Sequence, residues 1–368
     1  MPIKTQDTFT IVADSNIASL EAFFNSQTLG QQTKKKVTII AVAGRDINAQ
    51  LLADTQPDVL LIRSVTTVNA SLLADNDSVT FVVSATIGTD HVDQSYLATR
   101  HIGFANAAGC SKHSVAQYVL TAILTLRPHY WQSLSQPVVL GIIGLGNIGS
   151  TLAKYAADLG WHVLGYDPLL PPSMVNNASF EQVVTQSDVI SLHVPLTHND
   201  TSEYPTQHLI DAAVLAIMPA DTLLINSARG PVIDEVALMA DNNRGRQVVL
   251  DVFEHEPTVS APLVSQLALA TPHIAGYTLE GKLRGTQMVY DALCEQFSIT
   301  PTQSMQHLLP VNRYLWSELT AHPDRLVKFY DIRRDDTQLR AKVVDAQVSG
   351  ADFDQLRREY PLRREWQS

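Results

Sequence analysis

The sequence predicts an α/β protein: two doubly wound parallel sheets followed by a small C-terminal α+β segment. Three observations carry this. Short apolar, β-branched runs alternate with helical patterns up to about residue 275, as successive βαβ units require. One of these runs ends in a glycine-rich turn followed by a helix, a second strand and an acid. From about residue 300 the alternation stops and a mixed-charge tail takes over.

In the first hundred residues, 8–13, 37–42, 59–62 and 79–83 read as buried strands, with 16–24 as an amphipathic helix. Lys34-Lys35-Lys36 is a charge run suited to a solvated strand edge. Ligands of open α/β sheets sit beyond the carboxyl ends of strands, which puts Arg63, Ser64, Thr86 and Gly88 on the ligand side. Residues 112–126 form a helix with Ser111 as N-cap, and Pro128 and Pro137 bracket the join to the next strand. Cys110, just before that helix, reads as a buried small residue, because no partner base is evident.

The strand at 138–143 runs into Gly144-Leu145-Gly146-Asn147-Ile148-Gly149. A helical pattern follows, with Ile148, Leu152, Tyr155, Ala156 and Leu159 on one face, and stops at Gly160. The strand at 161–166 then ends at Asp167, about 20 residues past the glycines, the order of a Rossmann dinucleotide fingerprint. Gly144 permits the tight turn, Gly146 lets the backbone approach a pyrophosphate, and Gly149 lets the helix pack close on the strand. The N–H groups around Asn147 and Ile148, at the positive end of the helix, hold phosphate. Asp167 accepts hydrogen bonds from a ribose diol and repels a 2′-phosphate, so the cofactor predicted is NAD rather than NADP.

After a loop with Pro168, Pro171 and Pro172, the alternation continues. Helices are expected at 180–186, 206–218, 235–242 and 279–297, and strands at 188–194, 222–226, 248–253 and 267–270. The domains expected are 1–110 with 276–298, 111–275, and 299–368. Three strand ends present Arg229, Glu256 and His273 on the cofactor's edge of the sheet. These are the types that oxidation of a 2-hydroxy acid needs. Arginine grips a carboxylate with its planar fork. Histidine takes the hydroxyl proton as hydride leaves. A glutamate beside it fixes the tautomer and favours the imidazolium. Asp251, at the end of a buried strand, is either structural or faces the nicotinamide.

The bulk properties narrow the partners. A chain of 368 residues with 45% hydrophobic and 17% charged residues is globular, with room for two or three cores. A net charge of −11 excludes nucleic acid and anionic membrane as default partners. The two cysteines, Cys110 and Cys294, lack metal-ligand spacing and suit a reducing cytoplasm. The first residues lack a signal h-region, and no run approaches a membrane span. In the tail, Arg333-Arg334, Arg357-Arg358 and Arg363-Arg364 alternate with acids, which reads as a solvated mixed-charge face, with a subunit-contact module as the alternative.

The segments 141–149, 226–232, 250–257 and 272–276 resemble signature blocks of the D-isomer-specific 2-hydroxyacid dehydrogenase family, and the resemblance spans roughly residues 8–298. Further blocks, at 63–66, 88–93, 273–282, 284–286 and 330–336, are similar to one branch of it. That branch implies oxidation of 4-phospho-D-erythronate by NAD to the 2-oxo acid, a step in pyridoxal phosphate biosynthesis. By motif, the resemblance implies Arg229, Glu256 and His273 as the catalytic set, with His273 the acid/base. It implies Ser64, Thr86 and Tyr277 as substrate positions, and Asp167, Ser227, Ala228, Arg229, Asp251 and Gly276 as NAD positions. The tail becomes a dimerisation domain, hence a homodimer. Val194 stands where the family carries a threonine near the cofactor, so a hydroxyl contact is lost there. The chain ends soon after Arg364-Glu365-Trp366, so the last element of the dimerisation unit is expected to be missing. The alternatives are a dehydrogenase of phosphoglycerate or hydroxypyruvate type and an NAD(H)-sensing interaction protein of low turnover.

Overall fold

The β-branched runs near the N-terminus form one parallel five-stranded sheet. Its strands are β1 (Thr8–Asp14), β2 (Lys36–Val42), β3 (Val59–Ile62), β4 (Phe81–Ser84) and β5 (Gly103–Asn106), in the order β2-β1-β3-β4-β5. β3 and β4 are buried throughout, as continuous apolar runs require of central parallel strands. β5 has no such run: it is an edge strand, half-buried along its length, and sequence periodicity does not reveal it. The helix expected at 16–24 is shorter, Leu20–Phe23, and a second helix, Ser26–Thr33, follows. Asn25 separates them, its side chain accepting from the Thr28 amide at 3.0 Å as an N-cap.

The computed structural model describes residues 7–131, 137–171, 177–241 and 245–367. Pro172, Asn242 and the first six residues, which the sequence reading also addressed, lie outside the described residues. The chain divides into two units, Met1–Ser111 with Leu279–Val311, and Lys112–Thr278 with Asn312–Ser368. The segment from 299 is thus shared between them.

The second unit is built on a six-stranded parallel sheet. Its strands are β6 (Val139–Ile143), β7 (His162–Tyr166), β8 (Val189–Leu192), β9 (Leu223–Asn226), β10 (Val248–Leu250) and, after the short β11 (Val259–Ser260), β12 (Leu269–Ala270). Their order is β12-β10-β9-β8-β6-β7. The chain leaves β6 to one side for β7 and returns on the other with β8, so the end of β6 is a topological switch point. The register is level there. Ile143 lies opposite both Tyr166 and Leu192, Leu192 opposite Asn226, and Asn226 opposite Leu250, which faces Ala270. All six strands therefore deliver the residues that follow them to one edge. The helix expected from 206 begins only at Ala212, capped by Asp211, because His208 and Ile210 donate their amides to Pro231 and Val232 instead.

The mixed-charge tail is a solvated face only in part: Arg333, Arg334, Arg358 and Glu359 are exposed, but other charges turn inward. β13 (Val343–Val344) and β14 (Gln347–Val348) pair antiparallel with each other, and β14 with β11, which ties the tail into the second unit. Asp335 is buried and accepts from the hydroxyls of Tyr330 and Tyr360, both at 2.8 Å. The Arg363 guanidinium lies 4.1 Å above the Tyr330 ring and donates to the Tyr360 hydroxyl and to the Ala275 carbonyl, each at 2.8 Å. Glu365 is buried, with Oε1 accepting from Ser114 at 2.7 Å and Thr278 at 2.9 Å. Each of these inward charges is met by hydrogen bonds, which offsets the cost of its burial.

Gly149 is the tightest packing point of the fingerprint: a Cβ there would fall 2.0 Å from the Gly144 carbonyl oxygen. Gly149→Ala should therefore cost about 1–3 kcal/mol through overpacking. A lowered midpoint in thermal unfolding is expected, and an unchanged midpoint would refute the close approach.

Candidate active site

The glycine turn has the shape that its three glycines predict. Gly144 has φ +95°, and a Cβ there would sit 2.8 Å from the backbone carbonyl of His193. Gly146 is the opposite case, with nothing within 4 Å of an added Cβ, so the backbone is open to an approaching group. It N-caps the helix Asn147–Asp158 without any side-chain hydrogen bond, leaving the positive helix end to be met by an anion. Asp167 follows β7, with its carboxylate accepting from the amides of Leu145 and Leu169, both at 3.0 Å. Asn177 braces its backbone from the other side. An open cradle at a helix start, with an acid held beside it, fits the pyrophosphate and ribose of a dinucleotide. The Ser227 hydroxyl, after β9, is buried with no hydrogen-bond partner among the described residues.

The three candidate catalytic residues follow β9, β10 and β12. Asn226, fully buried at the end of β9, accepts from the Ala228 amide at 3.0 Å and donates to the Arg229 carbonyl at 2.8 Å, folding the turn that presents Arg229. Gly230 closes that turn on the next loop: a Cβ there would be 1.9 Å from the Phe253 carbonyl oxygen. In that loop Glu256 bends back, one carboxylate oxygen accepting from the Phe253 amide and the other meeting His273 Nδ1, both at 2.9 Å. Burial works to raise the Glu256 carboxyl. The charge and hydrogen bond of His273, the Phe253 amide and the charge of Arg357 outweigh it and leave the group below the ordinary carboxylate value.

His273 has a left-handed backbone, φ 54°, unusual for a residue with a Cβ. Asp251 imposes it. This fully buried carboxylate accepts from the Thr271 hydroxyl at 2.7 Å and from the Ile274 and Ala275 amides, both at 2.8 Å, while the Asp251 carbonyl accepts from the His273 amide at 2.7 Å. Its carboxylate is thus hydrogen-bonded throughout to the histidine loop. Tyr118 extends the network, its hydroxyl 2.7 Å from that of Thr271.

Sequence reasoning misses Thr271, Tyr118 and Arg363. The only signal was the Thr before Pro272-His273, which a turn explains as well. Tyr277 lies in the same unit, its ring 6.0 Å from Tyr360, and Gly276 precedes it. Ser64 and Thr86 are in the first unit. Ser64 is exposed after β3, and Thr86, after β4, is 2.8 Å from the Ser84 hydroxyl. Cys110 is buried there, and its carbonyl accepts from Arg284.

Residues 125–275 match a protein-family model described as "D-isomer specific 2-hydroxyacid dehydrogenase, NAD binding domain", and residues 321–368 match a domain described as one of unknown function. Among solved structures, a glyoxylate reductase from Paecilomyes thermophila aligns with TM-score 0.65 at 22% identity, covering 83% of this chain and 100% of that one. D-lactate dehydrogenase from Aquifex aeolicus, complexed with NAD and lactic acid, aligns with TM-score 0.60 at 23% identity, covering 78% and 95%. These likenesses speak for the fold. The class is given by the family match: an NAD-dependent dehydrogenase of the D-isomer-specific 2-hydroxyacid type.

The particular family follows from nearer relatives. The chain is 67% identical over 375 residues to the erythronate-4-phosphate dehydrogenase of Psychrobacter cryohalolentis, covering 98% of this chain and 97% of that one. It is 48% identical over 363 residues to that of Acinetobacter baylyi, covering 97% of each. The chain belongs to the erythronate-4-phosphate dehydrogenase family. Among the described residues, no helix is long and apolar enough to cross a membrane.

The lowered Glu256 carboxyl has a consequence for stability. A carboxyl lowered in the folded state contributes stability that is full above its unfolded value and is lost as pH falls through the folded value. Glu256→Gln should therefore be less stable than the parent at neutral pH, with the gap closing in acid. Urea unfolding across that range checks this, and parallel acid limbs for the two proteins would contradict the pairing with His273.

Proposed function

We propose that the chain oxidises 4-phospho-D-erythronate at C2, yielding the 2-oxo acid and NADH, within pyridoxal phosphate biosynthesis. The observation that carries the reading is the His273–Glu256 pair at 2.9 Å, one strand end away from the Arg229 turn and on the same sheet edge as the dinucleotide cradle. With Nδ1 engaged by Glu256, Nε2 is the nitrogen that takes the C2 hydroxyl proton. Glu256 holds the resulting imidazolium, and Arg229 grips the C1 carboxylate and so fixes C2. NAD supplies the hydride acceptor when bound. Gly144, Gly146, Asn147, Ile148 and Gly149 would hold its pyrophosphate and Asp167 its ribose, with Ser227, Ala228, Asp251 and Gly276 shaping the nicotinamide side. Tyr277 serves the substrate, and Ser64 and Thr86 are assigned to it from their places at the strand ends of the first unit.

We infer a cytoplasmic homodimer. Two buried cysteines that form no disulfide suit a reducing compartment. Val344, 63% exposed, and Leu362, 39% exposed, on the C-terminal segment offer apolar surface to a second copy.

The test is absorbance of NADH with purified protein, NAD and a panel of 4-phosphoerythronate, 3-phosphoglycerate, glycerate and lactate. Reduction confined to 4-phosphoerythronate is expected, and His273→Ala should lower its turnover about a hundredfold or more. Preferential use of another acid would replace the substrate. NADH binding without turnover of any of them would favour a sensing role. Wild-type turnover in the variant would remove His273 from the chemistry.

A further inference from the structure

The reading above, on which this inference rests, assigns no cation of the second unit to the phosphate end of the substrate. A phosphate monoester carries about −1.5 to −2 charge at neutral pH. A chain of net charge −11 attracts it only through a local positive group. In the second unit, Arg229 is assigned to the carboxylate. Arg363 is committed to the Tyr360 hydroxyl and the Ala275 carbonyl beneath the loop.

Arg357 differs. It lies on the helix Gly350–Arg358, which packs on the loop that carries Glu256. A Cβ at Gly350 would be 2.9 Å from Pro257, and Phe353 meets Phe253 edge-on with ring centres 6.2 Å apart. One turn beyond Phe353, the Arg357 guanidinium carbon is 5.8 Å from the Phe353 ring centre and 5.9 Å from that of Tyr277. Its charge reaches Glu256 and helps to hold that carboxyl down. Yet its own hydrogen-bonding capacity is not fully spent. Nε is buried without a partner among the described residues, and the approach to Asp354, 3.9 Å, is longer than a hydrogen bond. The side chain is 22% exposed, so it is held in place and still accessible.

We propose that Arg357 receives the terminal phosphate of the substrate beside Tyr277, and so sets the preference for a phosphorylated acid. A guanidinium fork suits this role, since it offers two parallel donors to a phosphate and keeps its charge at any working pH. Its stem is positioned by the two aromatic rings, so little side-chain freedom is lost on binding.

The test compares wild type, Arg357→Met and Arg357→Lys with 4-phosphoerythronate and with unphosphorylated D-erythronate, and adds inorganic phosphate as an inhibitor. Methionine keeps an apolar stem against Tyr277 and Phe353. Lysine keeps the charge without the fork, and carries the test should the methionine variant not fold. The KM for 4-phosphoerythronate should rise about thirty- to a hundredfold in Arg357→Met and by less in Arg357→Lys, with kcat within about twofold. Inhibition by phosphate should weaken in parallel, and kcat/KM for D-erythronate should change by no more than the roughly twofold allowed to kcat through the effect on Glu256. Equal loss of kcat on both substrates would show that Arg357 acts only through Glu256, overturning the proposal. So would a wild-type preference for the phosphorylated acid that survives in both variants. Absence of that preference in the wild type would defeat the substrate reading itself, and the proposal with it.

Discussion

One buried carboxylate organises the chemistry of this chain. Asp251 stands at the end of β10 with no exposure to speak of, and burial pushes its carboxyl upward. Three donors from the adjacent loop and the charge of His273 offset part of that penalty. In return, the loop from Thr271 to Ala275 is fixed at three points, which is enough to hold His273 in a left-handed backbone that costs about 1–2 kcal/mol for a residue with a Cβ. With the backbone fixed, the imidazole meets Glu256 through Nδ1. The His273–Glu256 pair proposed as the acid/base is thus a product of the loop, and the loop is a product of Asp251.

The rest of the second unit places this loop. Level strand ends bring the turns after β6, β7, β9, β10 and β12 to one edge, and the switch point at β6 opens that edge to a dinucleotide. Turns along this edge are packed on one another, as the Gly144–His193 and Gly230–Phe253 approaches show. The C-terminal segment then underpins the edge. Arg363 holds the Ala275 carbonyl, Glu365 ties Ser114 to Thr278, and the helix of Arg357 covers the Glu256 loop. Substrate chemistry and tail are therefore mechanically linked, although no tail residue belongs to the acid/base pair.

Local pattern made much of this legible. The apolar runs, the glycine spacing and the acid after β7 depend only on neighbours in the chain, and the sequence reading placed them and the Arg, Glu and His at strand ends. What it missed depends on partners far away. β5 is an edge strand without an apolar run, so periodicity is silent. Asn25 splits one expected helix in two by capping the second. Arg363 looks like a surface charge until it meets the carbonyl of Ala275, 88 positions earlier. Asp251 shows the limit most clearly: its position was evident, but its donors come from the loop about twenty residues on, and composition alone does not tell which way a carboxylate turns.

The central claim is that hydride leaves C2 of the hydroxy acid for NAD while His273 takes the hydroxyl proton. The most direct measurement uses 4-phospho-D-erythronate carrying deuterium at C2, with mass analysis of the NADH formed. The account predicts one deuterium in each NADH from the first turnover onward. Unlabelled NADH, with the deuterium lost to water or kept in the product, would contradict it.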